Sequence, residues 1–268
     1  MIKHRLCCAV VVAAGLAAAG VSHAQNWPVR PIRLIVPFPP GGGNDIVGRM
    51  LGAKLGEAWG QQVVIDNRPG AGTVLGTQLV ATAKPDGYTI MIADNAFMVN
   101  PFLMAKLPYD SLKNFVPVVS LASDSQVLAV VHPSLPVKSV KDLIALAKAR
   151  PGQVNYASSG AGSASHLAVE YFKLLAKIDI MPIAYRGTGP MTVSLISGET
   201  SLTITGVPPL MPHVQAGRMR GIAVASTQRM KVLPDLPTIA EAGVAGYEST
   251  TWFGPLAPAK TPRETVTK

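Results

Sequence analysis

Cysteine is scarce in this chain of 268 residues: Cys7 and Cys8 are the only two, and both precede the predicted start of the mature chain at Gln25. A mature chain without cysteine has no disulfide framework, no thiolate nucleophile and no cysteine-ligated metal site. Charged residues are also few, at 15%, whereas hydrophobic residues make up 48%. This balance excludes a disordered chain and predicts a globular protein with a rather neutral surface.

The first 24 residues have the features of a secretory signal peptide. Lys3 and Arg5 provide a basic start, residues 6–19 are apolar, and Ser22-His23-Ala24 is a small-x-small cleavage motif. The apolar stretch is too short for a membrane anchor. We therefore expect cleavage after Ala24 and a periplasmic protein.

The net charge favours an anionic partner. The full chain carries +9, and +7 remains when Lys3 and Arg5 are removed with the signal. The basic residues are scattered and no aromatic residues alternate with them, which argues against nucleic acid as the partner.

Strand-like and helix-like segments alternate along the mature chain, and the first unit has the order βαβαβ. This order is typical of a parallel sheet flanked by helices, so the predicted fold class is α/β with two lobes. Residues 25–124 form the first predicted lobe and residues 125–225 the second, with residues 226–268 returning to the first. The predicted crossings between lobes lie near residues 123–126 and 225–228.

Two small-residue loops, each between a strand and a helix, are the main functional signal. The first covers Pro37–Asp45 and the second Tyr156–His166. Glycines let a backbone approach a ligand closely, and a helix N-terminus presents unpaired N–H groups. Ligands of open α/β sheets bind beyond the carboxyl ends of the strands, where both loops lie. Two such loops from separate lobes can close on one anion.

The sequence gives little support for catalysis. The run Gly70–Gly76 has one residue too many between its last glycines for a dinucleotide-binding fingerprint. The run Gly162–His166 lacks the final glycine of a nucleophile elbow. His132 and His213 have no metal-ligand spacing with other histidines. We expect no enzyme activity, no cofactor and no metal.

Donors suited to a carboxylate are concentrated around the two loops. Ser158, Ser159, Ser163, Thr188 and Thr205 offer hydroxyls, and Arg186 offers a guanidinium. Asp45 has two interpretations, as a helix N-terminal residue or as a ligand-binding one. Gly43 and Ser159 are predicted to meet the carboxylate, with a positive φ at Gly43.

The chain resembles the Bug-type solute receptors of tripartite tricarboxylate transporters. The resemblance runs from about Trp27 to the end. It is carried by Pro31–Gly42 with Asp45 and Arg49, Asn67–Gly72, Pro85–Thr89, Tyr156–Gly160 with His166-Leu167, Tyr185–Gly187, Leu233–Thr238 and Trp252–Gly254.

The resemblance implies a periplasmic-binding-protein (Venus flytrap) fold with a carboxylate in the cleft between the lobes. It also implies a monomer that works with the membrane permease subunits of such a transporter. The implied ligand-binding residues are Phe38, Gly41, Gly42, Gly43, Asn44, Asp45, Asn95, Ser158, Ser159, Gly160, Gly162, Ser163, His166, Tyr185, Arg186, Gly187, Thr188 and Thr205.

The chain departs from the family pattern in two places. Ser201 and Thr205 stand where the family often has an acidic residue that could pair with an amino group, which argues against amino-acid substrates. The sequence also stops at Lys268, where family members usually continue, so we expect a C-terminal truncation. The alternative function is a small-molecule sensor or scaffold without a link to transport.

Overall fold

The computed structural model describes residues 27–125 and 127–268. The elements up to residue 125 are β1 (Ile32–Val36), α1 (Gly43–Trp59), β2 (Val63–Asn67), α2 (Val74–Ala81), β3 (Thr89–Ala93), α3 (Asn95–Leu103), β4 (Phe115–Pro117) and β5 (Ala122–Ser125). Those after residue 126 are β6 (Val127–Val131), α4 (Val140–Ala149), β7 (Asn155–Ser158), α5 (Ala164–Ala176), β8 (Met181–Ala184), α6 (Thr188–Ser197), β9 (Leu202–Gly206), α7 (Met211–Gln215), β10 (Arg220–Val224), β11 (Thr251–Pro258) and α8 (Arg263–Val266).

The first sheet has the strand order β2-β1-β3-β11-β4, and β5 pairs with β11 off this path. Strands β1, β2 and β3 are parallel, which confirms the βαβαβ unit read from the sequence. Strand β11 is antiparallel to β3, β4 and β5. The buried runs of branched residues in β1 and β3 form the centre of this lobe, and helices cover the faces.

The second sheet has the order β10-β6-β9-β7-β8. Strands β7, β8 and β9 run parallel, whereas β6 is antiparallel to both of its neighbours. Its core includes the fully or nearly fully buried Val131, Leu143, Tyr156, Phe172 and Ile180. The predicted fold class, two α/β lobes, is confirmed.

The segment after β10 stays on the second lobe for longer than the sequence suggested. Ile239, Val244 and Tyr247 are buried in the second core, and the Tyr247 hydroxyl donates to the Ala168 carbonyl at 2.9 Å. The chain joins the first sheet only at Thr251. The chain was expected to return to the first lobe at residue 226, which is too early. The apolar residues that lie between prolines and glycines in this segment pack residues 226–249 against the second lobe.

The two crossings between the lobes lie side by side. Strand β5 leads out of the first lobe and pairs with the start of β11, which leads back into it. The second crossing is thus near Ser249–Thr251 rather than near residues 225–228. Gln126, in the first predicted crossing, lies outside the described residues, as does the predicted signal peptide of residues 1–24. None of the described helices has the length and apolar character needed to cross a bilayer.

Candidate functional site

A cleft of about 310 Å³ lies between the lobes, at the carboxyl ends of parallel strands from both sheets. Its polar lining comes from the ends of β3 and β9 and from the first turns of α1, α5 and α6. The polar and glycine residues of the lining are Gly42, Gly43, Asn44, Asp94, Ser159, Ser163, Ser165, Thr188, Thr205, Gly206 and Thr251.

Two helices begin at the cleft without a side-chain cap. Helix α1 follows Gly42 and helix α6 follows Gly187, and neither glycine has a side chain that could accept a hydrogen bond from the N–H groups of the first turn. The first N–H groups of any helix have no partner within it, and they carry the positive end of the helix dipole. The cleft therefore offers free N–H donors from both lobes, which suits an anion.

Three serine hydroxyls extend this donor set. Ser165 Oγ accepts the Ser159 N–H at 2.9 Å and lies 3.0 Å from Ser159 Oγ and 3.1 Å from Ser163 Oγ. Ser163 also caps α5 by accepting the His166 N–H at 3.3 Å. This network holds the second loop in one shape while leaving Ser159 and Ser163 at the cleft wall.

Asp45 braces the first loop from behind. Its Oδ2 accepts the Gly41 N–H and Arg49 Nε, both at 3.0 Å, and its Oδ1 accepts Asn67 Nδ2 at 3.0 Å. Burial acts to raise the pKa of Asp45, but the hydrogen bonds from Arg49, Gly41 and Asn67 outweigh it and hold the pKa below its ordinary value. Both carboxylate oxygens are used within the protein, which favours the structural interpretation of Asp45.

Asp94 is the one acid in the described lining of the cleft. It caps α3, with Oδ1 accepting the Ala96 N–H at 3.0 Å. Its burial raises the pKa to about 6, against the opposing effects of the Ala96 N–H and the nearby Asn44 amide. Asn44 does not complete a well-formed hydrogen bond, since its buried Nδ2 has no partner among the described residues.

The lobes touch at glycines on the cleft rim. A Cβ built on Gly42 would lie 3.1 Å from Thr188 Oγ1, and one on Gly187 would lie 2.6 Å from the Pro39 ring. At a separate contact between the lobes, a Cβ on Gly162 of the second lobe would lie 2.4 Å from Leu103 Cδ1 of the first. Side chains at these glycines would hold the lobes apart.

The structure brings eight of the predicted site residues to the cleft: Phe38, Gly42, Gly43, Asn44, Ser159, Ser163, Thr188 and Thr205. Four others, Gly160, Tyr185, Arg186 and Gly187, line a second cavity that shares Phe38, Ser159 and Ser163 with the cleft. The remaining six, Gly41, Asp45, Asn95, Ser158, Gly162 and His166, line neither cavity.

Several residues outside the cleft support it. His166 Nδ1 accepts the Gly162 N–H at 3.3 Å, and its ring stacks on Tyr156. Asn95 links α3 to the second crossing, through its bond to the Thr250 carbonyl at 3.1 Å. The positive φ expected at Gly43 belongs instead to Gly41, at 86°, because Gly43 is already the first residue of α1.

Sequence reasoning did not place Val47, Ala122, Ser165, Thr251 or Phe253 at the cleft, nor residues 206–209, Met230 and Val232, which supply more of its wall. Thr251 and Phe253 come from β11, whose place in the first sheet depends on long-range pairing. Asp94 follows β3 directly, where polar residues face the ligand edge of a sheet, so the sequence indicates an acid near the cleft loops although Asp94 was not among the predicted ligand-binding residues. The described residues contain no group of three or more side chains suited to a metal ion.

Comparison with known proteins agrees with this geometry. Residues 47–268 match the family described as tripartite tricarboxylate transporter family receptor. The chain belongs to this family. It is 38% identical over 256 residues to the protein BugT of Bordetella pertussis, covering 94% of this chain and 78% of that protein.

Solved structures agree as well. The R. palustris protein Rpa4515, solved with adipate, is 41% identical with a TM-score of 0.88, covering 90% of this chain and 81% of that one. MatC from Rhodopseudomonas palustris, solved with bound malate, is 31% identical with a TM-score of 0.84, covering 90% of this chain and 82% of that one. The tripartite tricarboxylate receptor family consists of periplasmic solute-binding receptors, so the predicted family is confirmed.

Proposed function

We propose that the chain is an extracytoplasmic receptor that captures a small carboxylate in the cleft between its lobes. The observation that carries the proposal is the meeting of uncapped helix N-termini from both lobes, at Gly42 and Gly187, beside the hydroxyls of Ser159, Ser163 and Thr188. Such donors stabilise a carboxylate without a cation, because each N–H or O–H contributes to one charge-assisted hydrogen bond.

The relatives support the class of ligand. Two proteins of closely similar fold were solved with adipate and with malate, which both carry carboxylates. Binding requires donors from both lobes, so the ligand gains all its contacts only when the lobes approach. We expect the paired crossings, β5 and the start of β11, to act as the hinge of this closure.

The proposal extends to transport. Receptors of this family serve tripartite transporters, so the partners are the membrane permease subunits, and the receptor is a monomer exported by a signal cleaved after Ala24. Co-purification from a host that has the transporter tests the partnership. Recovery of the receptor alone would favour a sensor or scaffold without a link to transport.

A thermal-shift screen against mono-, di- and tricarboxylates tests the binding function. A ligand that binds only the folded state adds RT ln(1 + [L]/Kd), which is about 2.7 kcal/mol at a hundredfold excess over Kd. At least one carboxylate should raise the unfolding temperature. A screen in which no carboxylate does so would contradict the proposal. A chemically altered ligand after incubation would show an enzyme instead.

A further inference from the structure

The cleft lining beyond the donors described above is apolar. The first lobe contributes Phe38, Val47 and Phe253, and the second contributes Val207, Met230 and Val232. These side chains offer contact area but no hydrogen-bond donor, so they favour the burial of an apolar group.

The described lining contains no lysine, arginine or histidine. The one ionisable side chain at the described wall is Asp94, an acid. The described wall can therefore hold one carboxylate with its helix N-termini and hydroxyls, but its described side chains offer no cation for a second.

The basic side chains on neighbouring segments do not line the described cleft. Arg49 Nε lies 3.0 Å from Asp45 Oδ2, behind the first loop. Arg186 lines the second cavity. Lys231, next to Val232 in the chain, lines an adjoining surface depression.

We infer that the cleft selects a monocarboxylate with an uncharged, apolar body and discriminates against a second carboxylate at the distal end of the ligand. This inference rests on the proposed carboxylate function and narrows it. The physical reason is that a charge buried against apolar side chains without a partner is costly, and a neighbouring acid adds to that cost. The cavity of about 310 Å³ is near the small end of ligand pockets, which suits a short acid.

Calorimetry with a matched series tests the selectivity. Hexanoate, 6-aminohexanoate and adipate have the same chain length and differ at the distal group, and benzoate with terephthalate repeats the comparison on a ring. At pH 8 we expect a monocarboxylate to bind at least tenfold more tightly than its dicarboxylate partner. Equal or tighter binding of the dicarboxylate, or tighter binding of 6-aminohexanoate, would overturn the inference.

The series also separates this inference from the proposed function. If no member binds but another carboxylate of the wider screen does, the inference fails and the receptor function stands. If no carboxylate binds at all, both fail.

Two variants assign the selectivity to named side chains. Val232→Lys places a cation at a wall position whose side chain is 66% exposed, and it should raise the affinity for adipate relative to hexanoate at least tenfold. The matched control is Val193→Lys, at a 64% exposed position outside the described cleft lining, which should leave the ratio unchanged. Asp94→Asn should change the ratio in the same direction as Val232→Lys. The control Asp142→Asn, at an exposed acid in the first turn of α4, should leave it unchanged. An unchanged ratio in both Val232→Lys and Asp94→Asn would contradict the assignment.

Discussion

Gly187 of the second lobe lies directly against the ring of Pro39 of the first, so that a Cβ at Gly187 would approach Pro39 Cγ to 2.6 Å. Gly187 also has a φ of 105°, which side chains disfavour. Gly187→Ala should therefore keep the lobes apart and reduce ligand affinity by tenfold or more, about 1.4 kcal/mol.

Gly217→Ala is the matched control for this change. Gly217 also has a positive φ, of 70°, but nothing lies within 4 Å of its added Cβ. It shares the backbone strain without the interlobe contact, so it should lose stability and keep affinity. Calorimetry and thermal unfolding of both variants check this, and equal affinity losses would show that the Pro39 contact is unimportant.

Gly43→Val tests the loop of the first lobe. A Cβ at Gly43 would already lie 3.3 Å from Phe253 Cζ, and the branched side chain would enter the space beside the free N–H groups of α1. We expect the affinity to fall by tenfold or more. Gly56→Val, in the same helix but outside the described cleft lining, should lower stability alone. Unchanged affinity in Gly43→Val would remove this loop from the site.

Asp45→Asn should weaken both the loop and binding. Hydrogen bonds to a charged group contribute about 1.5–3 kcal/mol, and Asp45 accepts three. Because its pKa is lowered in the folded state, its contribution is present above the ordinary value of 3.8 and is lost as the pH falls through the folded value. Urea unfolding of wild type and variant should therefore converge in acid.

Asp66→Asn is the control for Asp45→Asn, because it removes a hydrogen-bonded carboxylate that lies away from the cleft. Asp66 accepts Arg33 Nε at 2.7 Å and Arg68 Nε at 2.8 Å, and it does not line the cleft. Its loss should lower stability while ligand affinity stays at the wild-type level. If Asp45→Asn also kept wild-type affinity, the loop brace would have no role in binding.

Asp94→Asn should have the opposite effect on stability. The pKa of about 6 in the folded state means that ionised Asp94 destabilises the fold, with no penalty below its ordinary value of 3.8 and the full penalty above 6. Asparagine keeps an acceptor for the Ala96 N–H. The variant should be more stable than wild type above pH 7, by up to about 3 kcal/mol at about 1.4 kcal/mol per pKa unit.

Asp142→Asn is the control for this pH effect. Asp142 is exposed at the start of α4, and hydrogen bonds from the Lys138 N–H and Ser139 lower its pKa. Its replacement should decrease stability at neutral pH, the opposite sign to Asp94→Asn. Between pH 4 and pH 7, the free energy of unfolding of the wild type should fall relative to that of Asp94→Asn. If this difference stays constant, the raised pKa of Asp94 is contradicted.

The regular part of the fold could be predicted from the sequence. Buried branched runs such as Ile32–Val36 and clear stop signals such as Pro85–Gly87 fix strands and turns locally. Strand β11 could not be predicted, because it contains Pro255 and Pro258 and reads as a loop. It is nevertheless central, and the Pro255 carbonyl accepts the Val118 N–H at 3.1 Å, a bond that needs no N–H from proline.

The candidate site was predictable to the extent that it depends on local chain signals. The two loops were found because glycines and helix starts are adjacent in sequence. The apolar wall was not, because Val47, Met230 and Phe253 are ordinary hydrophobic residues until the fold brings them together. The raised pKa of Asp94 could not be predicted either, because it results from burial, which no neighbouring residue in the sequence indicates.

The central claim, capture of a carboxylate by neutral donors of both lobes, is tested most directly by calorimetry with an acid and its amide. Hexanoate and hexanamide have the same shape, and only hexanoate carries the negative charge that the helix N-termini and hydroxyls stabilise. We expect hexanoate to bind at least a hundredfold more tightly, about 2.7 kcal/mol. Equal or tighter binding of the amide would contradict the account.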